Sequence, residues 1–159
     1  MKIFTAILSL LLVSLQTLAD TSQDFGKWSL ICGDAGNCSL SQIVSSDQSG
    51  SNIVLGATVN FAVSKDFPIL MLRLPPSLFQ QSGVGIKIDK NKPIQVPLSQ
   101  CAPSACQSVI KMDKQLLDEM MTGENVQVAV AIQKNKQLTL PLSLEGFKKG
   151  FAALQQSQH

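Results

Sequence analysis

Hydrophobic and polar residues alternate with a period of two along most of this chain, the spacing of strands that turn one face to a core. Trp28 and Leu30 alternate with Lys27 and Ser29, and Leu40 opens a second run through Ile43 and Val44. Ile53, Leu55, Ala57, Val59 and Phe61 keep one parity. So do Val84, Ile86 and Ile88, then Ile94, Val96 and Leu98. Val126 to Ile132 and Leu138 to Leu142 repeat the pattern, and Lys134-Asn135-Lys136 between them predicts a hairpin turn with Asn135 left-handed. Pro68 to Leu74 is nearly all apolar, as in a strand buried on both faces. Roughly eight or nine short strands with turns between them predict a mainly β sandwich or barrel. Pro97 and Pro141 fall inside strand patterns and predict edges or bulges, because proline cannot donate to a ladder.

Two stretches carry helical spacing instead. Asp113 is the predicted N-cap of Lys114 to Met121, with Leu116, Leu117, Met120 and Met121 on one side and Gly123 as the stop. Ser143 is the predicted cap of a second helix carrying Leu144, Phe147, Phe151 and Leu154. Gly146 and Gly150 would weaken that helix in isolation, so it should pack on the sheets. Asp20 to Asp24 reads as a frayed polar end, and Gln155 to His159 as a polar tail.

The first nineteen residues follow different rules. Lys2, the apolar run Ile3 to Leu15 and the small-residue ending Thr17-Leu18-Ala19 predict a signal peptide cleaved after Ala19. The run is shorter than the roughly 20 apolar residues that span a bilayer, so no stable membrane insertion is expected after cleavage. Residues 20–159 then form one domain, large enough to bury a real core. Without Lys2 it holds twelve of the chain's 13 Lys and Arg against 11 Asp and Glu, so it is close to neutral. Its positive charges are scattered, which excludes the electrostatic footprint of a nucleic-acid binder.

Four cysteines in an exported chain read as a disulfide framework. Three connectivities are open. Two local staples, Cys32 with Cys38 and Cys101 with Cys106, are favoured because each pair brackets a turn-like stretch. Loop entropy does not choose: a short loop gives about 2 kcal/mol, and a link between the two pairs more. The spacings are not those of a zinc ribbon.

Groups for catalysis are scarce. The single histidine is His159, the last residue, and the chain has no tyrosine. A serine or cysteine nucleophile with a histidine base is therefore not expected, and no phosphate loop or zinc-protease motif occurs. Asp118 and Glu119 are neighbours that point apart on a helix. Asp89 lies at a turn before Lys90-Asn91-Lys92-Pro93. Arg73, the sole arginine, sits in the most apolar strand and must reach a carboxylate or the surface, an ion pair being the favoured reading. Trp28 should be core, packed on the first disulfide. Met71, Met112, Met120 and Met121 should be core filling rather than an adaptable surface.

The order Trp28-x3-Cys32, Cys38, Leu72-Arg73-Leu74-Pro75, Gly83 to Asp89, Pro97-Leu98-Ser99-Gln100-Cys101, Cys106, the Asp113 to Gly123 helix and Leu140 to Phe147 resembles the invasion-associated locus B protein family. The resemblance runs from about Phe25 to Leu154 and departs at Ala105, where the family usually has glycine before the last cysteine. It implies an immunoglobulin-like β-sandwich exported by Gram-negative bacteria, with no accepted catalytic activity and a founding member tied to invasion of host red cells. The expectation is a non-catalytic interaction module of the periplasm or cell surface, without cofactor, metal or catalytic residues. Its partner would be an envelope or host-surface protein, docking by strand addition beside Pro97 or Pro141. Self-association stays open, and a small-ligand or glycan carrier is the alternative.

Overall fold

The computed structural model describes residues 21–158 apart from 34, 35, 48, 50 and 51, so the expected signal peptide and His159 lie outside the described residues. Among the described residues eleven strands form: β1 (Thr21–Phe25), β2 (Trp28–Cys32), β3 (Cys38–Ser45), β4 (Ile53–Asn60), β5 (Ile69–Leu74), β6 (Val84–Ile88), β7 (Ile94–Val96), β8 (Gln100–Ala102), β9 (Ala105–Lys111), β10 (Asn125–Gln133) and β11 (Lys136–Ser143). Helix α1 (Lys114–Thr122) lies between β9 and β10, and α2 (Phe147–Gln156) follows β11. The strands make two antiparallel sheets, a seven-stranded one ordered β1-β2-β3-β4-β5-β9-β8 and a four-stranded one ordered β11-β10-β6-β7. Together they form the expected β-sandwich, in which alternate residues of each sheet enter the shared core. Leu40, Leu55, Ala57, Val59 and Leu72 of the larger sheet, and Val84 and Val128 of the smaller, are fully buried.

The two sheets are also stitched by hydrogen bonds. Gln42 is a buried polar residue on β3. Its side-chain amide donates to the Ser143 carbonyl at 2.8 Å, and its Oε1 accepts from the Ser143 N–H at 3.0 Å. The same carbonyl accepts from Trp28 Nε1 at 2.8 Å. Ser143 thus ends β11 and does not cap a helix. Helix α2 starts four residues later, after Gly146, whose φ is +85°. A Cβ there would lie 1.8 Å from the Phe25 carbonyl oxygen, so only glycine lets the β1–β2 hairpin and α2 approach this closely. Phe147 and Phe151 enter the core from α2, Phe147 meeting Trp28 edge-on at 5.0 Å between ring centroids. Trp28 is therefore core, but it packs on α2. Cys32 stands at the opposite end of β2, about 13 Å away along the strand.

Other departures have local causes. Residues 21–25 pair with β2 through a tight turn at Gly26-Lys27, so this polar stretch is an edge strand and not a frayed end. Strand β5 is fully buried on one face, where Leu70, Leu72 and Leu74 point in; on the other, Ile69 is buried, Met71 half-buried and Arg73 exposed. Strand β7 stops at Val96, before Pro97. The hairpin at Lys134-Asn135 has no positive φ; a bulge between Ala131 and Gln133 supplies the twist that a left-handed Asn135 would have given. Gly123 does stop α1 as expected, in an extended conformation. Strand β9 carries no visible alternation because its parity is inverted in character. Ser108 is fully buried, donating to the Pro97 carbonyl at 2.8 Å, whereas Val109 faces out.

Candidate functional site

The cysteines staple hairpins. Cys32 and Cys38 are directly opposed on β2 and β3 and bonded, as are Cys101 and Cys106 on β8 and β9. Both bonds rigidify one sheet, the seven-stranded one. Ala105 opens β9 without a positive φ, so the departure from glycine there is accommodated.

The remaining candidates disperse. Asp118 pairs with Lys114 and Glu119 accepts from Gln115, each one turn apart on the solvated face of α1. Asp89 takes a φ of +46° and accepts from the backbone N–H groups of Glu124 at 2.9 Å and Asn125 at 3.0 Å, tying the end of α1 to β6. Met112 and Met120 are buried in the core, but Met71 is on the outer sheet face. Among the described residues, no three His, Cys, Asp or Glu side chains gather where they could hold a metal ion.

What does gather is on the outer face of the seven-stranded sheet. The ladder register sets two rows across it. One runs Ser29, Ser41, Thr58, Met71, Val109, and the other Ile43, Gly56, Arg73, Gln107, Gln100. Small residues in the middle strands make the floor of a trough: Ser41 and Thr58, hydrogen-bonded at 3.1 Å between hydroxyls, and Gly56. Ile31 and Ile43 rise on one side and Met71 and Arg73 on the other, with Pro75, Pro76 and Ser104 at one end. The concavity is about 790 Å³. Ile43 is 65% exposed, Ile53 54%, Val109 44% and Ile31 41%, so four large aliphatics meet water on this one face. A cluster of that kind marks an interaction surface more often than scattered single residues do.

Arg73 reaches this surface, and not the ion pair expected of it. Among the described residues the only salt bridge is Lys114 with Asp118. No Asp, Glu or Lys lines the trough, so Arg73 is its single charge. The sequence hid this site because its members are spread over β2 to β5 and β9 and become neighbours only through register.

Two other features compete with it. A slot of about 240 Å³ opens between the sheets below β7, lined by aliphatic side chains such as Ile86, Ile88 and Ile110 and by polar ones including Lys92, Gln115 and Glu119. Asp113 at its rim is engaged as the α1 N-cap, accepting from the Leu116 N–H at 2.8 Å, and Lys111 lies 4.2 Å from the Phe67 ring centroid. The edges β7 and β11 of the smaller sheet are the second. Strand β7 has three residues, and Pro141 removes a donor from β11.

Comparison with known proteins gives a consistent picture. Residues 28–155 match the model of the family described as invasion associated locus B (IalB) protein. An invasion protein B homolog of Brucella abortus (strain 2308) is 28% identical over 135 residues, covering 82% of this chain and 75% of that protein. A second homolog, from Brucella abortus biovar 1 (strain 9-941), matches equally. The crystal structure of invasion associated protein B from Bartonella henselae superposes with a TM-score of 0.77 at 22% identity, covering 87% of this chain and 98% of that one. That likeness establishes the shared fold.

Proposed function

The chain belongs to the invasion associated locus B family, and from that premise we propose that it is an exported, non-catalytic interaction module that docks a protein partner on the outer face of its seven-stranded sheet. The observation that carries the reading is the trough itself: an uncharged, partly aliphatic concavity around one arginine, on the sheet that both disulfides brace. Flat sheet faces in contact with water alone carry polar side chains; this one exposes Ile31, Ile43 and Val109. The dispersed carboxylates support a role without catalysis. Export fits the two disulfides, which persist in oxidising compartments. An envelope or host-surface protein is the partner class consistent with a periplasmic or surface location.

The carrier reading has less behind it. The inter-sheet slot, about 240 Å³, is smaller than the roughly 300–1,000 Å³ typical of small-molecule sites; the trough is large enough, but among the described residues no aromatic side chain lines it for a sugar to stack on, and the one tryptophan is buried. The test is position-specific. A photo-cross-linking amino acid placed at Ile43 should give a discrete adduct in cells, and the same residue placed at Lys148, exposed on α2, should not. Equal adducts from both positions, or none from Ile43, would remove the sheet face from consideration.

A further inference from the structure

Arg73 and Gly56 are cross-strand neighbours at the centre of the trough. Glycine inside a strand weakens it and often marks a place where another backbone comes close. Nothing in the fold requires glycine here. Gly56 has no positive φ, and a Cβ would meet only the Arg73 Cβ, at an ordinary 3.5 Å. A larger side chain would be tolerated by the sheet and would fill the trough. The missing side chain therefore leaves space for something outside the molecule.

The charge says what that is. Among the described residues the Arg73 guanidinium has no hydrogen-bond or ion-pair partner, and no other charged residue lines the trough. Around it stand Ile31, Ile43 and Met71 on either side. Lining continues past Arg73 in both directions, to Met71 and to Pro75-Pro76, so an occupant runs through the site and does not end there. Resting on the docking face proposed above, we infer that the trough recognises an extended peptide segment of the partner. That segment presents an internal Asp or Glu to Arg73, flanked on both sides by aliphatic side chains, with its backbone lying over Gly56. A guanidinium takes a carboxylate through two parallel N–H···O bonds, which fixes register as well as adding affinity.

Peptides selected from a random twelve-residue phage library against the purified, oxidised protein test this. The expected motif is a single Asp or Glu between aliphatic residues. Binding of the selected peptide should fall about tenfold with Arg73→Gln, and equally when its acid is changed to the amide, with little added by combining the two. Gly56→Val should abolish binding while the melting temperature holds. If Gly56→Val abolishes binding but neither Arg73→Gln nor the amide matters, the docking face stands and the carboxylate is wrong. Peptides indifferent to both substitutions, or no selection at all, overturn both.

Discussion

Gln42 is the residue on which the junction of the two sheets most depends. Its amide bonds both backbone groups of Ser143, whose carbonyl also takes the Trp28 indole N–H. Buried polar groups cost free energy when a partner is lost, more than the bond itself contributes. Gln42→Ala should therefore destabilise by roughly 2 kcal/mol, read as a lower urea midpoint at unchanged slope. A midpoint within error of the parent would show that the two sheets do not rely on this junction. Trp28 is buried, as a large aromatic in an alternating strand should be, yet it packs not on the first disulfide but on Phe147, 119 residues on in sequence, and nothing near Trp28 announces that.

Among the elements, the hairpins β2–β3 and β8–β9 are each closed by one disulfide between directly opposed residues. Short loops of this size gain about 2 kcal/mol apiece on the chain-entropy account. Replacing Cys101 and Cys106 together with serine should lower stability by about that amount. It should also weaken binding at the trough, whose end is formed by Ser104 of the same hairpin. Loss of stability with binding intact would confine the bond to a folding role. Elements with clean alternation, such as β4, β6 and β10, are legible in the sequence because one face is core and the other is not. Strand β9 is not legible, since Ser108 is inside and Val109 outside. Strand β1 is polar up to Phe25 and exists because β2 offers it a ladder. Helix α2 carries Phe147, Phe151 and Leu154 of the predicted apolar residues but starts after Leu144, because Ser143 is held by Gln42 and Trp28 as the end of β11.

For the whole molecule, the sandwich buries one face of each sheet and leaves the outer face of the larger one carrying aliphatics, small residues and one uncompensated arginine. Period-two patterning predicts two packed sheets but cannot say which outward residues meet. The trough appears only once the register places Ile43 beside Gly56, and Gly56 beside Arg73. The family relationship accounts for the fold, and the trough is built from this chain's own residues.

The most direct test of the docking face is a surface-charge substitution that the fold should not feel. Ile31 and Ile43 are both exposed, so changing both to lysine removes no core contact and should leave the melting temperature unchanged. In cells, cross-linking of wild-type and Ile31→Lys/Ile43→Lys proteins is compared with a linker placed at Val109, on the same face. The account predicts a discrete wild-type adduct that disappears in the variant. An adduct of undiminished yield in the variant would contradict it, and place the partner on another surface of the molecule.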